Sequence, residues 1–251
     1  RTTFEGKEHE DRNAQFEFIN RRVECYFSEQ QPVISVDAKK RELIGNYKNN
    51  GTEWRPKSSP NEVNAYDFLT DAEGVAIPYG IYDLKKNKGW VNIGITKDTA
   101  EFAVQSIKNW WYNMGIYYHN MATSLLITAD GGGSNSSKGK LWKYELQKLA
   151  NELGMAIEVV HFPPGTSKWN KIEHRLFSFI SKNWRGRPLL SYEVIIQLIG
   201  ATQTKKGLKV DCELDSTEYK TGIKIRENKM EEINLIPNSF HGEWNYSILP
   251  Q

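Results

Sequence analysis

Three acids of this 251-residue chain stand where carboxylates can do chemistry. Asp37 ends the β-branched run Pro32-Val33-Ile34-Ser35-Val36, Asp130 ends the apolar run 124–129, and Glu173 falls in the first turns of a helix expected from about 168 to 184. In open α/β sheets, sites form at the carboxyl ends of strands, which suits both aspartates. Clustered carboxylates repel and raise one another's pKa unless a cation intervenes, and an all-oxygen set suits hard ions such as Mg²⁺ or Mn²⁺. Singly, each acid has an ordinary explanation. Asp130 precedes Gly131 as turn aspartates do, Asp37 lies near Lys39 and Lys40 as a strand-end ion pair would, and Glu173 stands three residues after Asn170 as in a capping box. Their joint placement, after the first strand, after the fourth and in the third helix, favours a shared metal site.

The surroundings of Glu173 point toward phosphates. Between Pro164 and Leu190 the basic residues are Lys168, Lys171, Arg175, Lys182, Arg185 and Arg187, and Glu173 is the one acid. Such bases hold a nucleic-acid backbone while the acid holds a metal. His174 follows Glu173 directly and so points about 100° around the helix, which leaves it a supporting role such as a phosphate contact. Asn170, one turn earlier, is placed to orient the carboxylate or touch DNA. Trp54, Arg55 and Lys57 join an aromatic to cations within four residues, a mixture suited to bases and phosphates, although a Trp folded onto the core serves equally. His161 reads as a satisfied structural histidine, and Trp90, Trp110, Trp111 and Trp142 as core.

The elements that position these residues follow from periodicity. Phe16, Ile19, Val23 and Phe27 form a helical stripe over 12–29. After the strand that ends in Asp37, residues 43–75 hold no clean period and read as a long loop or insertion. Strands over 76–84 and 89–96 make a hairpin across Lys85-Lys86-Asn87-Lys88. A helix from Asp98, with Glu101 completing a capping-box pattern, presents Ala100, Val104, Ile107, Trp111 and Met114. A strand over 124–130, a helix over 142–153 closed by Gly154, a strand over 156–162 and helices over 168–184 and 192–204 follow. The strand-helix-strand step around 142–153 calls for a right-handed parallel crossover. The result is a mixed five-stranded sheet flanked by helices, in the strand and helix order of the ribonuclease-H-like fold. Residues 1–31 form an N-terminal linker helix, 32–206 the core and 207–251 a C-terminal extension of short strands and turns.

Composition bounds the rest. Thirty-three basic against 31 acidic residues give a net charge of +2, so the distribution of charge, not its sum, has to identify a partner. Cys25 and Cys212 build neither a disulfide framework nor a zinc finger alone, and reduced thiols fit a cytosolic protein. No apolar run reaches about 18 residues, which excludes a spanning helix. The polar N-terminus is unlike a secretory signal and lacks an initiating Met, as a fragment of a longer chain would.

Three segments carry a resemblance: Val36-Asp37-Ala38-Lys39-Lys40; Ile127-Thr128-Ala129-Asp130-Gly131-Gly132-Gly133-Ser134-Asn135; and the stretch from Pro163 through Trp169-Asn170-Lys171-Ile172-Glu173-His174-Arg175. Together with Phe240-His241-Gly242-Glu243-Trp244-Asn245-Tyr246 near the C-terminus, they resemble the Rhodopirellula-type DDE transposases of bacterial insertion sequences. The resemblance implies an acidic triad at Asp37, Asp130 and Glu173 and two-metal phosphoryl transfer, with two Mg²⁺ or Mn²⁺ ions about 3.5–4 Å apart. Asp37 would bridge both ions, and Asp130 and Glu173 would serve one each. It further implies transposon-end and target DNA as partners, a homo-oligomer when assembled on DNA, a cytoplasmic, nucleoid-associated setting, and a helix-turn-helix region upstream of this sequence. Rivals are a structure-selective nuclease or ribonuclease H on the same fold, and an inactive DNA-binding descendant.

Overall fold

A computed structural model describes residues 9–64 and 72–251. Residues 1–8 of the expected linker and 65–71 of the expected insertion lie outside the described residues. The strands are β1 (Val33–Ala38), β2 (Glu42–Ile44), β3 (Gly74–Asp83), β4 (Lys88–Gly94), β5 (Ser124–Ala129), β6 (Ala156–His161), β7 (Lys209–Asp215), β8 (Leu235–Pro237) and β9 (Asn245–Ile248). Among the described residues they form one nine-stranded sheet in the order β7-β4-β3-β1-β5-β6-β9-β8, with β2 also paired to β3. The five expected strands are its middle: β1 pairs antiparallel with β3 and parallel with β5, and β5 pairs parallel with β6. The segment after residue 206 adds strands at both edges, with β7 parallel to β4 and β9 antiparallel to β6.

Side-chain alternation sorts the two faces. Ile34, Val36, Leu125, Ile127 and Ala129 join the core cluster under α2 (Ala100–Trp110) and α4 (Lys140–Leu153). Val33, Leu126 and Val160 face the other way, against α1 (Arg12–Ser28), whose stripe of Phe16, Ile19, Val23 and Phe27 covers them. On that same side α5 (Ser178–Trp184) and α6 (Tyr192–Gly200) cover β3 and β4 through Ile180, Trp184, Ile195 and Ile199. Trp90, Trp110, Trp111 and Trp142 are buried.

Several helix boundaries differ from the sequence expectation for local reasons. The cap of α2 is Thr99, whose side chain accepts the Phe102 N–H, so Asp98 lies outside the helix. The third helix does not run unbroken from 168. A 3₁₀ turn (Ser167–Trp169) ends at Asn170, and a π-helical turn (Glu173–Phe177) then leads into α5. A second π turn (Trp111–Gly115) joins α2 to a last short turn, α3 (Ile116–Tyr118). The insertion begins with β2. Beyond it the chain is lashed to the C-terminal end of α5: Gly186 N–H donates to Asn50 O (2.9 Å), Asn49 Nδ2 to Trp184 O (3.1 Å), and Arg187 pairs with Glu53 (2.9 Å). No helix among the described residues is long and apolar enough to cross a membrane.

The N-terminal helix and the last strand are joined by a buried amide pair. Gln15 Nε2 donates to Asn245 Oδ1 (2.7 Å) and to His161 O (2.8 Å), while Asn245 Nδ2 donates to Gln15 Oε1 (2.9 Å) and Phe240 O (2.9 Å). Both side chains are buried, so removing one strands the other's polar groups away from water. Asn245→Ala is expected to lower stability by about 1–3 kcal/mol, read as a fall in thermal midpoint of roughly 2–4 °C per kcal/mol for a chain of this size. An unchanged midpoint would show that the pair does not fasten α1 to the sheet.

Candidate active site

Strand register brings the two aspartates together. β1 and β5 are parallel with Val36 opposite Ala129, so the next residues along the two strands are Asp37 and Asp130. Adjacent strands lie about 4.8 Å apart. By alternation both acids sit on the face of Val33, Ser35, Leu126 and Thr128, the face on which the Glu173 turn packs. Thr128 Oγ1 donates to Ile34 O (3.2 Å), a side-chain tie across this pair of strands.

Glu173 is brought in by a buried clasp. Asn170 is wholly buried; its Nδ2 donates to Val36 O (3.1 Å) and its Oδ1 accepts from Ser35 Oγ. Ser35 Oγ in turn accepts the Ile172 N–H (3.1 Å), and Asn170 O accepts the Glu173 N–H (3.1 Å). Every strong polar group of Asn170 is thus used inside the protein. Expected to touch DNA or to orient the Glu173 carboxylate, it instead fastens the start of the Glu173 turn to the strand that carries Asp37. Gly80, the register partner of Asp37 on β3, completes the fit. A Cβ there would stand 2.5 Å from Phe177 and 2.9 Å from Ile172, so only a bare backbone lets the π turn lie this close. Such turns are frequent at functional sites.

The electrostatics of the site are unfavourable without a cation. Burial first, then the charges of Asp130 and Glu173, push the Asp37 carboxyl up to about 8, against the help of the Ala38 N–H (2.8 Å). Burial also raises Asp130, countered by the Gly132 N–H and by Asn135, whose Nδ2 donates to Asp130 Oδ1 at 2.9 Å. A fourth acid, Asp98, adds its charge to both; burial raises it too, and Ser134 donates to it. Tyr79, buried beneath the acids and held protonated by burial and their charge, donates to Asn135 Oδ1 (3.4 Å). Behind Asp130, His161 Nδ1 donates to the Asp130 carbonyl (2.9 Å), and its Nε2 accepts from Tyr246 Oη (3.1 Å). Burial pushes His161 down to about 4, so it is neutral and structural, as its sequence position suggests. The all-oxygen donor set and the mutual repulsion fit a hard divalent cation. Asp37, Asp130 and Glu173 do not converge within 4.8 Å as a single-ion cage would.

The expected DNA-contacting residues divide by place. Lys39, Lys40, Lys168 and His174 line a cleft of about 570 Å³ together with Glu173. Within it Lys40, Lys168 and His174 are exposed, whereas the Lys39 ammonium is held by Glu42 (2.7 Å) and over the Trp184 ring (4.4 Å). Lys171 and Arg175 are exposed on the same turn. Trp54, Arg55 and Lys57 lie elsewhere, on the insertion by the C-terminal end of α5, next to Glu53 and its partner Arg187. Trp54 is wholly exposed, not folded onto the core. Sequence reasoning missed Asp98, Asn135, Ser35 and Tyr79. The strand-end argument used for Asp37 applies equally to Asp98 after β4, but the capping pattern with Glu101 drew it into the helix.

Two outcomes follow. The folded state keeps the Asp37 proton up to about pH 8, whereas an unfolded chain releases it near 3.9. The stability of the metal-free protein therefore falls as pH rises from about 4 to about 8. Asp37→Asn should flatten that slope and raise the metal-free melting temperature at pH 8, and Mg²⁺ or Mn²⁺ should restore wild-type stability there. The same slope in the variant would place the repulsion elsewhere. Asn135→Ala, which frees Asp130 Oδ1, should weaken divalent-metal binding about 10–100-fold with the fold intact; equal affinity by calorimetric titration would refute its positioning role.

Comparison with known proteins identifies the family and the fold. The profile of the family described as Rhodopirellula transposase DDE domain matches residues 1–250. Among solved structures, the fold is similar to a Mos1 transposase paired-end complex with left transposon end (14% identity, TM-score 0.50) and a pre-cleavage Mos1 transpososome (11%, 0.51). It is also similar to a Mos1 mariner paired-end complex with Mn (12%, 0.50). Each match covers 78% of this chain and 56% of the Mos1 chain, so the sequence spans about half the length of those proteins. A search of curated proteins gives no match. The fold is therefore that of the ribonuclease-H-like transposase catalytic domains, and the chain belongs to the Rhodopirellula transposase DDE domain family.

Proposed function

We propose that this domain cleaves phosphodiester bonds at transposon ends and transfers the freed strand, with Asp37, Asp130 and Glu173 as the metal-holding acids. The observation that carries the reading is the register of β1 against β5, which sets two acids side by side on one face and clasps a third onto it through Asn170. Two Mg²⁺ or Mn²⁺ ions held there would supply Lewis-acid stabilisation of the attacking and leaving oxygens of an in-line displacement. Asp37, which feels the charge of both other acids, would hold the ions together with Asp130 and Glu173. Asn135, His161 and the Asn170 clasp keep the carboxylates in place while charge redistributes. The attacking groups are water and then a DNA 3′-OH, so no protein nucleophile is required.

The exposed bases of the cleft, Lys40, Lys168 and His174, with Lys171 and Arg175 on the same turn, hold the DNA backbone next to Glu173. Trp54, Arg55 and Lys57 offer a second DNA contact at a distance from the chemistry. Residues 32–206 are the catalytic core, 1–31 a linker and 207–251 an extension integrated through β7 and β9. The domain works as a homo-oligomer on DNA, at the bacterial nucleoid in the cytoplasm.

The test is incubation of the protein on transposon-end DNA with Mg²⁺ or Mn²⁺. Cleavage followed by strand joining is expected. Asp37→Asn and Asp130→Asn should each lower the rate by about a thousandfold or more, as the loss of several kcal/mol of transition-state stabilisation implies, while DNA binding persists. Cleavage without joining would identify a nuclease instead, binding without cleavage an inactive module, and undiminished cleavage in either variant would remove the acids from the site.

A further inference from the structure

We propose a second metal site, remote from the triad in its chemistry, at His9, Asp11 and His241, where a borderline divalent ion of the Zn²⁺ class ties the entry of α1 to the turn before β9. Among the described residues this is the one group of three metal-ligating side chains whose ligand atoms lie within 4.8 Å of one another. The donor set, two imidazoles and a carboxylate, suits Zn²⁺ and not the hard ions expected at the triad.

The geometry around His241 makes the case specific. Its Nδ1 lies 2.7 Å from Glu243 Oε1 and its Nε2 lies 3.0 Å from Asp11 Oδ2. With Nδ1–H donated to Glu243, either a second proton on Nε2 or a metal ion has to lie between Nε2 and the Asp11 carboxylate, and His9 beside them supplies the third ligand atom that a metal, unlike a proton, would use. Metal-bound histidines commonly donate their other nitrogen to a carboxylate in this way, which fixes tautomer and ring. Ligands at about 2.0–2.1 Å from a tetrahedral ion stand roughly 3.3 Å apart, so the Nε2 and Oδ2 atoms are already near the required separation. The rings are held in advance: His241 stacks on Trp244 (centroids 4.3 Å, 22° between planes), and His9 meets Trp244 edge-on at 4.8 Å. His241 also has a φ of 47°, a left-handed backbone that a non-glycine residue adopts at a cost and that recurs at functional positions. His9 Nδ1 accepts the Asp11 N–H (3.1 Å), a bond the ion would replace. Three protein ligands leave the fourth position to water.

Asp11 and His241 are 230 residues apart in sequence, so the ion would join two ends of the fold that also meet through the Gln15–Asn245 pair and the Phe18–Phe240 contact. The test uses an Asp37→Asn, Asp130→Asn background, which removes the carboxylate site, and measures Zn²⁺ retained per chain and the visible spectrum of the Co²⁺-loaded protein. About one Zn²⁺ per chain and a tetrahedral Co²⁺ spectrum are expected. His241→Gln and His9→Ala should both lose them, and Glu243→Gln should weaken binding about 10–100-fold. His9→Ala leaves the Gln15–Asn245 pair untouched, so a folded, metal-free His9 variant separates ligand loss from unfolding. Absence of Zn²⁺ binding at micromolar metal would mean a proton-bridged ion pair alone, and undiminished Zn²⁺ in the His9 and His241 variants would place the metal elsewhere; either result overturns the site.

Discussion

Like charges have to be held against one another in a poorly solvated corner of this sheet, and much of the surrounding structure is arranged to do so. The charges of Asp130 and Glu173 disfavour ionisation of Asp37, Glu173 also opposes that of Asp130, and Asp98 adds to the burden on both aspartates. The restraint comes from groups that are themselves neutral and fully bonded: Asn170 and Ser35 below the Glu173 turn, Asn135 beside Asp130, and His161 behind its carbonyl. Buried neutral networks of this type are stiff because breaking any member leaves another unsatisfied. Asp83 makes the contrast plain. It too is buried, but it accepts the Lys85 and Lys86 N–H groups and pairs with His119, so it stabilises a hairpin and is unsuited to binding an ion.

The wide sheet serves the same end. β1 occupies its middle, flanked by β3 and β5, so the strand carrying Asp37 is fixed on both sides by hydrogen bonds and on both faces by packing. The C-terminal residues contribute at a distance. Tyr246 reaches from β9 to His161, which touches the Asp130 backbone, and Trp142 donates to the same tyrosine (2.9 Å). A segment that reads as a trailing extension therefore sets the floor under one of the acids. The motif from Phe240 to Tyr246, noted for its resemblance alone, acquires a physical meaning through this chain and through Asn245.

What could be read from the sequence was what local pattern encodes. Apolar runs ended by acids marked β1 and β5, and the ribonuclease-H-like order of elements, in which those strands are neighbours, implied that their carboxylates meet. The basic stretch around a lone Glu173 marked the third acid. Two signals were misleading because competing local rules share residues: Asn170 fits a capping box but is drawn inward by Ser35, and Asp98 fits a cap that Thr99 takes. The pairing of β7 with β4 and of β9 with β6 was not legible, since both join residues far apart in sequence and depend on which edges remain open once the middle has formed.

The alternation that turns Ser35 and Asp37 to one face of β1 has a consequence for how such a domain can change. Strand side chains repeat every two residues, so gaining or losing one residue between Val33 and Asp37 would carry the acid through the sheet to the side of α2 and α4. Substitution of Ile34 or Val36 by another apolar residue leaves the site where it is. A change of length does not. Beyond β2 the insertion leads back to β3, and that stretch can lengthen or shorten without moving a carboxylate. Lineages carrying this fold should therefore differ in size after the first acid and keep strict spacing before it.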